Sequence, residues 1–428
     1  ESNGEKGCHR YIISNNNSSI NIFEVFTMIR LTLGNKFNVD VVPLFESVSD
    51  LENAGNIMDK VYSNKLYREH IIRRGNVQTV MLGFSDGTKD GGYLTANWSI
   101  LKAKESLTKV SRKFGIKVIF FDGRGGPPAR GGGNTHQFYS SLGDFIESDE
   151  IQLTVQGQTI SSNFGTIKSS QYNMEQLISS GIKNRILSNS EVFNKKNRKT
   201  IEKLSSISYS SYKDFKSHPS FIPYLEKMST IKYYSKTNIG SRPSKRGVKG
   251  EEFNFDKLRA IPFVGSWNQL KQNVPGFFGL GTSINYFYEK NRIKDVKLLY
   301  QEVPFFRALV SNSMMSLTKS FFELTSYMSK DQEFGEFWKI IHDEYVLTKK
   351  MLLKISNFKE LMENEPANKL SIETRENIVM PLITIQQYAL QIVKEIESGD
   401  LKKTDKSVFE KIITRSLYGN INASRNSA

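Results

Sequence analysis

In the stretch KVIFFDGRGGPPARGGG, from Lys117 to Gly133, an apolar run directly precedes a glycine-rich segment. The run Lys117–Phe121 predicts a buried strand, because Val, Ile and Phe favour strands. The fourteen residues from Phe120 hold six glycines, two prolines and two arginines. Glycine lets the backbone approach a ligand closely, and backbone N–H groups and guanidinium groups together bind anions. We predict a mobile anion-binding loop; a flexible linker is the alternative, which the directly preceding strand disfavours.

The spacing of the loop glycines argues against two common nucleotide-binding motifs. The loop reads Gly-Arg-Gly-Gly-x-x-x-Arg-Gly-Gly. Dinucleotide-binding folds require G-x-G-x-x-G at the start of a helix, and P-loops require G-x-x-x-x-G-K-[ST]. The sequence therefore predicts a different kind of anion site.

Strands and helices alternate around this loop. Helices are predicted near residues 50–74 and 94–114, and the strands are Val41–Phe45, Gln78–Phe84, Lys117–Phe121 and Ile151–Val155. This alternation predicts parallel βα units with strands buried on both faces. After about residue 166 apolar residues recur at helical spacing, in 305–328, 337–358 and 378–396. We predict an α/β region over residues 1–165 and a helical region over 166–428.

The chain is strongly basic. It has 428 residues and a net charge of +15, from 59 basic and 44 acidic side chains. Basic residues cluster at Lys195–Lys199 and in a second group, Arg242, Lys245, Arg246 and Lys249. Because neither cluster is interleaved with aromatic side chains, nucleic-acid binding is disfavoured. A solvated basic surface, or arginines that bind a small polyanion, explains the charge better.

The composition indicates a cytoplasmic protein. No run of 18 apolar residues predicts a membrane span, and the first residues lack the apolar core of a signal peptide. The single cysteine, Cys8, excludes an internal disulfide and is typical of a reducing compartment. Because the chain begins with Glu1 rather than Met, we expect it to be part of a longer one.

Charged side chains follow three of the predicted strands. The carboxyl ends of parallel strands meet at one edge of a sheet, where functional groups collect. Two carboxylates there could hold Mg²⁺, whose other ligands are substrate and water. For a single carboxylate, a helix cap or a salt bridge is the better interpretation; acids and arginines on successive strand ends favour an active site. The residues are Glu46 after the first strand, Asp86 and Lys89 after the second, and Asp122, Arg124 and Arg130 after the third.

Several motifs resemble phosphoenolpyruvate carboxylase, in consistent order along nearly the whole chain. The resemblance implies the C-terminal half of that family's chain: half of a (β/α)₈ TIM-like barrel followed by a large all-α region. The motifs are PLFES (43–47), VMLGFSDGTKDGG (80–92), FFDGRGGPPARGGG (120–133), GSRPSKR (240–246), LRAIPFVGSW (258–267), PGFFGLGT (275–282), VPFFRALVSNSMMSLTK (303–319) and RNSA (425–428).

The resemblance implies a reaction and its participants. Such enzymes carboxylate phosphoenolpyruvate with bicarbonate, through carboxyphosphate and the enolate of pyruvate, and release oxaloacetate and phosphate. They use Mg²⁺ or Mn²⁺ and supply the tricarboxylic acid cycle. They are commonly inhibited by aspartate or malate and are usually homotetramers.

The resemblance also assigns roles to individual residues. Glu46 and Asp86 match the metal ligands, and Arg124, Arg259 and Arg242 match arginines of the substrate site. Lys89 matches a lysine that is tied to bicarbonate use. Arg130 matches an arginine implicated in both carboxylation and feedback inhibition. The remaining inhibitor-binding residues are matched by Lys319, Arg375 and Asn426.

Two departures from the family pattern concern the loop. Asp122 stands where many members have His; a carboxylate cannot act as an imidazole cation, and it could pair with an arginine instead. Ala129 replaces a common glycine, and Pro127-Pro128 stiffens a loop that is expected to move. His136, retained after the loop, is interpreted as structural rather than as a general base.

The resemblance places further barrel strands, a catalytic histidine and one substrate arginine in an N-terminal half outside this sequence. We therefore expect the present chain to be inactive alone or to need a partner polypeptide, since a barrel of eight strands cannot close with four. The alternative from another class is a non-catalytic module that binds acidic metabolites or a partner subunit. The enzyme is favoured by five residues that effector binding alone does not need: Glu46, Asp86, Lys89, Arg124 and Arg259.

Overall fold

The computed structural model describes residues 4–155, 157–187, 193–236, 255, 258–399 and 406–424. The strands are β1 (Arg10–Ile13), β2 (Asp40–Phe45), β3 (Val77–Leu82), β4 (Lys117–Asp122) and β5 (Ile151–Leu153). The helices are α1 (Glu5–Cys8), α2 (Ser19–Leu33), α3 (Val48–Ser63), α4 (Lys65–Arg73), α5 (Phe84–Lys113), α6 (Thr135–Tyr139), α7 (Gly157–Phe164), α8 (Ile167–Leu187), α9 (Lys195–Lys216), α10 (Phe221–Met228), α11 (Ala260–Gln269), α12 (Leu280–Glu289), α13 (Ile293–Glu302), α14 (Pro304–Thr318), α15 (Gly335–Ser356), α16 (Pro366–Ser398) and α17 (Lys406–Ser424). Short 3₁₀ segments are Pro128–Arg130, Ile231–Lys236, Val274–Gly276 and Phe322–Lys330.

The strands form one parallel sheet in which each pairs with the next along the chain, in the order β1-β2-β3-β4-β5. The last residues of four strands are in register: Phe45 is opposite Leu82, Leu82 is opposite Asp122, and Asp122 is opposite Leu153. The residues that follow these strands therefore emerge side by side at one edge, as the sequence predicts. The closed (β/α)₈ barrel stays a prediction, because the described strands form a five-stranded sheet.

Strand β1 is absent from the sequence-based prediction. Its residues Arg10–Ile13 are exposed except for Ile13, since β1 lies at the end of the strand order and pairs with β2 alone. A short edge strand lacks the continuous apolar pattern on which the prediction depends. The other four strands are confirmed, with ends that differ by up to two residues.

Several predicted helices have different bounds. The helix predicted near residues 50–74 is two helices, because Asn64 ends α3 and its side chain accepts a hydrogen bond from the Tyr67 N–H at 3.1 Å to cap α4. Helix α5 begins at Phe84 rather than near residue 94. The sequence pattern missed its first turns because they are rich in glycine and polar residues, which are weak helix formers. The apolar stretch 305–328 divides into α14 and a 3₁₀ segment. The last two predicted helices correspond to α15 and α16.

The apolar core includes side chains from both the sheet and the helical region. Phe215 of α9 stacks on Phe278 and Phe337, with ring centroids 4.2 and 5.1 Å apart. Trp98 of α5 and Trp267 of α11 are fully buried. This shared core holds α5 and α11 where they can face the loop after β4. The division at residue 165 stays a prediction. Within the described ranges, no helix has both the length and the apolarity that a bilayer crossing requires.

Gly92 should be essential for the kink in α5. Its backbone has φ 76° and ψ 167°, a region that only glycine adopts readily. A Cβ there would also lie 3.3 Å from Cγ of Tyr212. We expect Gly92→Ala to lower the free energy of unfolding by about 1–3 kcal/mol, measured by urea denaturation. Gly181→Ala is the control, since a Cβ on that residue of α8 meets open space; it should raise stability by up to about 1 kcal/mol. Equal effects of the two variants would contradict the assignment.

Candidate active site

Glu46 and Asp86 lie at neighbouring strand ends. Glu46 directly follows β2, and its Oε2 accepts a hydrogen bond from the Asn15 N–H at 2.9 Å. Gly83, which precedes α5, donates its N–H to the Phe45 carbonyl at 2.8 Å, and a Cβ built on it would lie 3.1 Å from Cγ of Glu46. Glycine at position 83 gives α5 room to begin this close to Glu46, because a Cβ there would be tightly packed against it. Asp86 lies in the first turn of that helix.

Cationic groups surround this pair of strand ends. Arg130 is 4% exposed; burial lowers the pKa of its guanidinium to about 10, and attraction to Asp86 opposes that shift. The Ser85 hydroxyl donates to the Arg130 carbonyl at 3.1 Å. Lys89 donates its ammonium to the carbonyls of Phe255 and Leu258, at 2.8 and 2.6 Å. The next residue, Arg259, is the N-cap of α11 and is half-buried. The structure therefore brings Lys89, Arg130 and the start of α11 to the Asp86 end of the sheet.

Arg124 lies apart from these cations, against the residues that end its own loop. It is 5% exposed, and its guanidinium donates to the carbonyls of Gly132, Gly133 and Asn134 at 3.1, 3.4 and 3.2 Å. It also lies over the Phe138 ring, 4.4 Å from the centroid. These contacts close the loop, so in this conformation Arg124 binds protein carbonyls.

Asn312 of α14 fixes the end of the loop. Its Oδ1 accepts a hydrogen bond from the Asn134 N–H at 3.2 Å, and its amide donates to the Tyr93 hydroxyl at 2.9 Å. Gly133 has φ 105°, and a Cβ there would lie 2.2 Å from Oδ1 of Asn312. No other residue type fits at Gly133 with this anchor in place. Sequence reasoning missed Asn312, which carries no local signal of a loop contact.

A cavity of about 650 Å³ separates the loop from helices of the C-terminal region. Arg124, Lys319 and Arg375 line it, together with His136 and the loop backbone. Among the described residues of its wall there is no carboxylate, and Arg130 is not part of that wall. A wall with three basic side chains is electrostatically suited to a small anion.

The electrostatics of Lys319 are consistent with that assignment. Burial, followed by repulsion from Lys271 and Arg375, lowers the pKa of the Lys319 ammonium to about 8. Lys271 is itself paired with Glu376 at 2.7 Å. An anion in the cavity would remove part of the cost of holding these cations together.

Among the described residues Asp122 forms its salt bridge with a lysine rather than with an arginine, although its charge also attracts Arg124. Asp122 is fully buried, and its Oδ2 lies 2.6 Å from the Lys104 ammonium and accepts a hydrogen bond from the Tyr139 hydroxyl at 2.5 Å. Lys104 is 1% exposed. Sequence reasoning missed Lys104 and Tyr139, because a lysine within a helix is ordinarily exposed. Arg242 and Asn426, two further residues predicted for the site, lie outside the described residues.

The residues at the strand ends fit a divalent cation. Glu46 and Asp86 supply the one or two carboxylates that Mg²⁺ typically takes from protein, with substrate and water as further ligands. Within the described part of the chain, no three or more His, Cys, Asp or Glu side chains are grouped so that they could hold a metal. The donors thus suit an open, oxygen-rich site rather than a closed structural one.

The basic cluster at Lys195–Lys199 has a structural explanation. Lys196 pairs with Asp295 at 2.9 Å, and Arg198 forms an ion pair with Glu105. Asn197, between them, donates to Glu302 at 2.9 Å. These partners join α9 to α5 and α13 and account for two of the cations in the cluster. The second basic cluster lies outside the described residues.

The parallel sheet, with two carboxylates and several cations at one edge, is typical of α/β enzymes, whose ligands bind at the carboxyl ends of the strands. The model of the family described as phosphoenolpyruvate carboxylase matches residues 1–423. The chain therefore belongs to the phosphoenolpyruvate carboxylase family, and the resemblance of its motifs is confirmed. Membership implies a carboxy-lyase with phosphoenolpyruvate and bicarbonate as substrates, in a family that generally uses a divalent metal.

The lowered pKa of Lys319 predicts unusual reactivity. Since the neutral amine is the nucleophile, Lys319 should react with acetic anhydride increasingly as the pH rises through about 8, rather than through the 10.5 of an ordinary lysine. Peptide mapping by mass spectrometry measures this directly. Exposed Lys290 is the internal control for the reactivity of the reagent at each pH. Identical pH profiles for the two lysines would contradict the assignment.

Proposed function

We propose that this chain carries the metal- and substrate-binding edge of a phosphoenolpyruvate carboxylase that uses Mg²⁺ or Mn²⁺. The observation that supports it is the convergence of Glu46, Asp86, Lys89 and Arg130 at the ends of β2, β3 and β4. In the proposed reaction a bicarbonate oxygen attacks phosphorus and the bond between phosphorus and the enol oxygen breaks. The products of that step are carboxyphosphate and the enolate of pyruvate. Carboxyphosphate then releases CO₂ and phosphate, and the enolate carbon attacks CO₂ to form oxaloacetate.

Each residue has a defined task in this proposal. Glu46 and Asp86 would hold the divalent ion, which when bound supplies Lewis acidity for the charge on the enolate oxygen. Arg130 and Arg259 neutralise phosphate charge during transfer, which is where fixed cations lower the barrier most. Lys89, whose ammonium donates to two backbone carbonyls, would bind bicarbonate. The closed loop excludes water from carboxyphosphate and the enolate.

Loss of either carboxylate should remove metal binding. We expect Glu46→Gln and Asp86→Asn each to weaken Mn²⁺ binding at least tenfold, by calorimetry on the purified chain, because a neutral amide is a poor ligand for a hard cation. Phosphoenolpyruvate binding should require Mn²⁺ and be lost in both variants. Asp90→Asn is the matched control one turn along α5; Asp90 accepts a hydrogen bond from the Val48 N–H and pairs with Lys216. Its Mn²⁺ affinity should stay within about threefold of the original.

Coupled oxaloacetate formation with bicarbonate tests the reaction itself. Phosphoenolpyruvate binding that is indifferent to Mn²⁺ would sink the proposed metal site. Metal-dependent binding without turnover would support the expectation that this chain needs a further polypeptide for catalysis.

We further propose that the cavity beside the loop binds the inhibitory dicarboxylate, aspartate or malate. Lys319 and Arg375 line that cavity without a carboxylate in its described wall. A dicarboxylate there could also draw Arg130 away from Asp86 and so withdraw a catalytic cation. The homotetramer and the cytoplasmic location stay predictions.

Removal of one cavity cation should abolish the response to the inhibitor. We expect Lys319→Ala to weaken aspartate binding at least tenfold in calorimetry, since an ion pair in a partly buried site is lost, and to abolish inhibition wherever the enzyme is active. Lys290→Ala, which removes an exposed lysine, is the control. Undiminished aspartate binding by Lys319→Ala would refute this role for the cavity.

A further inference from the structure

Three buried side chains meet directly behind the glycine-rich loop. Asp122 ends β4, Lys104 lies in the middle of α5, and Tyr139 ends α6. Lys104 is 1% exposed and Asp122 is fully buried. Both Lys104 and Tyr139 donate to the same oxygen, Oδ2 of Asp122, at 2.6 and 2.5 Å. Within the described residues, Oδ1 of Asp122 has no hydrogen-bond partner.

The cluster holds two buried cations around one carboxylate. Lys104 and Arg124 are both buried, and Asp122 attracts each of them. The Phe138 ring lies against both cations: its centroid is 5.9 Å from the Lys104 ammonium and 4.4 Å from the Arg124 guanidinium. In apolar surroundings an uncompensated cation is costly, so the charge of Asp122 is what allows Lys104 to be buried here.

Arg124 connects this cluster to the loop. Asp122 is separated from Arg124 by Gly123 alone, and the Arg124 guanidinium donates to the carbonyls of Gly132, Gly133 and Asn134. The position of the Arg124 guanidinium therefore fixes the position of residues 132–134, which end the loop. A shift of Asp122 or of the Phe138 ring would displace the guanidinium from those carbonyls.

We infer that Asp122 is a positioning residue which, together with Lys104 and Tyr139, holds the glycine-rich loop closed through Arg124. Asp122 takes no part in proton transfer in this arrangement, because Lys104 and Tyr139 enclose its charged oxygen in the core. The three residues depend on one another: a histidine at position 122 would leave Lys104 buried without a carboxylate. Histidine at this position would require a neutral side chain at position 104.

Limited tryptic cleavage tests this inference without any need for catalysis. Trypsin cleaves after arginine, and Arg124 and Arg130 both precede glycine inside the loop. The variants are Asp122→Asn, Asp122→His and Asp122→His with Lys104→Gln. The control is Glu344→Gln, an equally conservative change at a buried carboxylate that accepts hydrogen bonds from Gly279, Thr282 and Thr348, away from the loop. Urea denaturation measures the global stability of each variant.

We expect Asp122→Asn and Asp122→His to raise the cleavage rate after Arg124 and Arg130 at least tenfold. At a matched loss of global stability, Glu344→Gln should stay within threefold of the original chain. Adding Lys104→Gln to Asp122→His should return the cleavage rate to within about threefold of the original. Tyr139→Phe keeps the ion pair but removes one of the two donors to Oδ2 of Asp122. It should raise the rate about fivefold, above the limit set for Glu344→Gln, and it serves as the test if the histidine variant fails to fold.

Two results would overturn the inference. Equal loop cleavage in Asp122→Asn and Glu344→Gln at matched stability would show that Asp122 supports the fold only. A double variant no better than Asp122→His alone would show that Asp122 and Lys104 do not depend on each other.

Discussion

Two guanidinium groups are almost completely buried in a loop that contributes no carboxylate of its own, and the surrounding structure satisfies each in a different way. Arg124 is satisfied by three backbone carbonyls of the loop itself. Arg130 is satisfied in part by its attraction to Asp86 on the next strand end. Because burying an unsatisfied charge costs several kcal/mol, on the order of the whole stability of a domain, neither arginine can leave its place unless another partner replaces the one it loses.

Because each arginine stays with its own partners, the loop contributes one arginine to each of two sites. Arg130 faces the edge of the sheet with Glu46 and Asp86, whereas Arg124 borders the cavity that Lys319 and Arg375 line. An anion that binds in the cavity competes for the same loop that delivers a cation to the sheet edge. In the proposed feedback inhibition, the segment between Arg124 and Arg130 is enough to connect the cavity with the edge of the sheet. Asn312, which holds the end of the loop against α14, is the anchor that such a movement would have to strain or release.

Patterns of neighbouring residues in the sequence were sufficient to predict most of the strands. Apolar runs identified β2 to β4, since strands covered on both faces need such runs, and the carboxyl ends of β2 and β3 correctly located Glu46 and Asp86 at one edge. The prediction also holds for β5, whose residues are only half-buried. The same reasoning failed for β1, whose exposed residues pair on one side only. It also failed for the start of α5, whose glycines weaken a helix in isolation but leave room for close packing against Glu46.

The sequence by itself determined the family, the order of strands and helices and the identity of the charged residues at the strand ends, because each of these is written in contiguous motifs. Only the tertiary structure decided which charges meet. Lys104 and Asp122 are 18 residues apart on a helix and a strand, and nothing in either neighbourhood marks the lysine as buried. The separation of Arg124 from Arg130 likewise depends on carbonyls, an asparagine and a carboxylate supplied by distant segments. Pairing between buried charges is set by three-dimensional proximity and by the cost of leaving a charge uncompensated, and neither is visible in a local pattern.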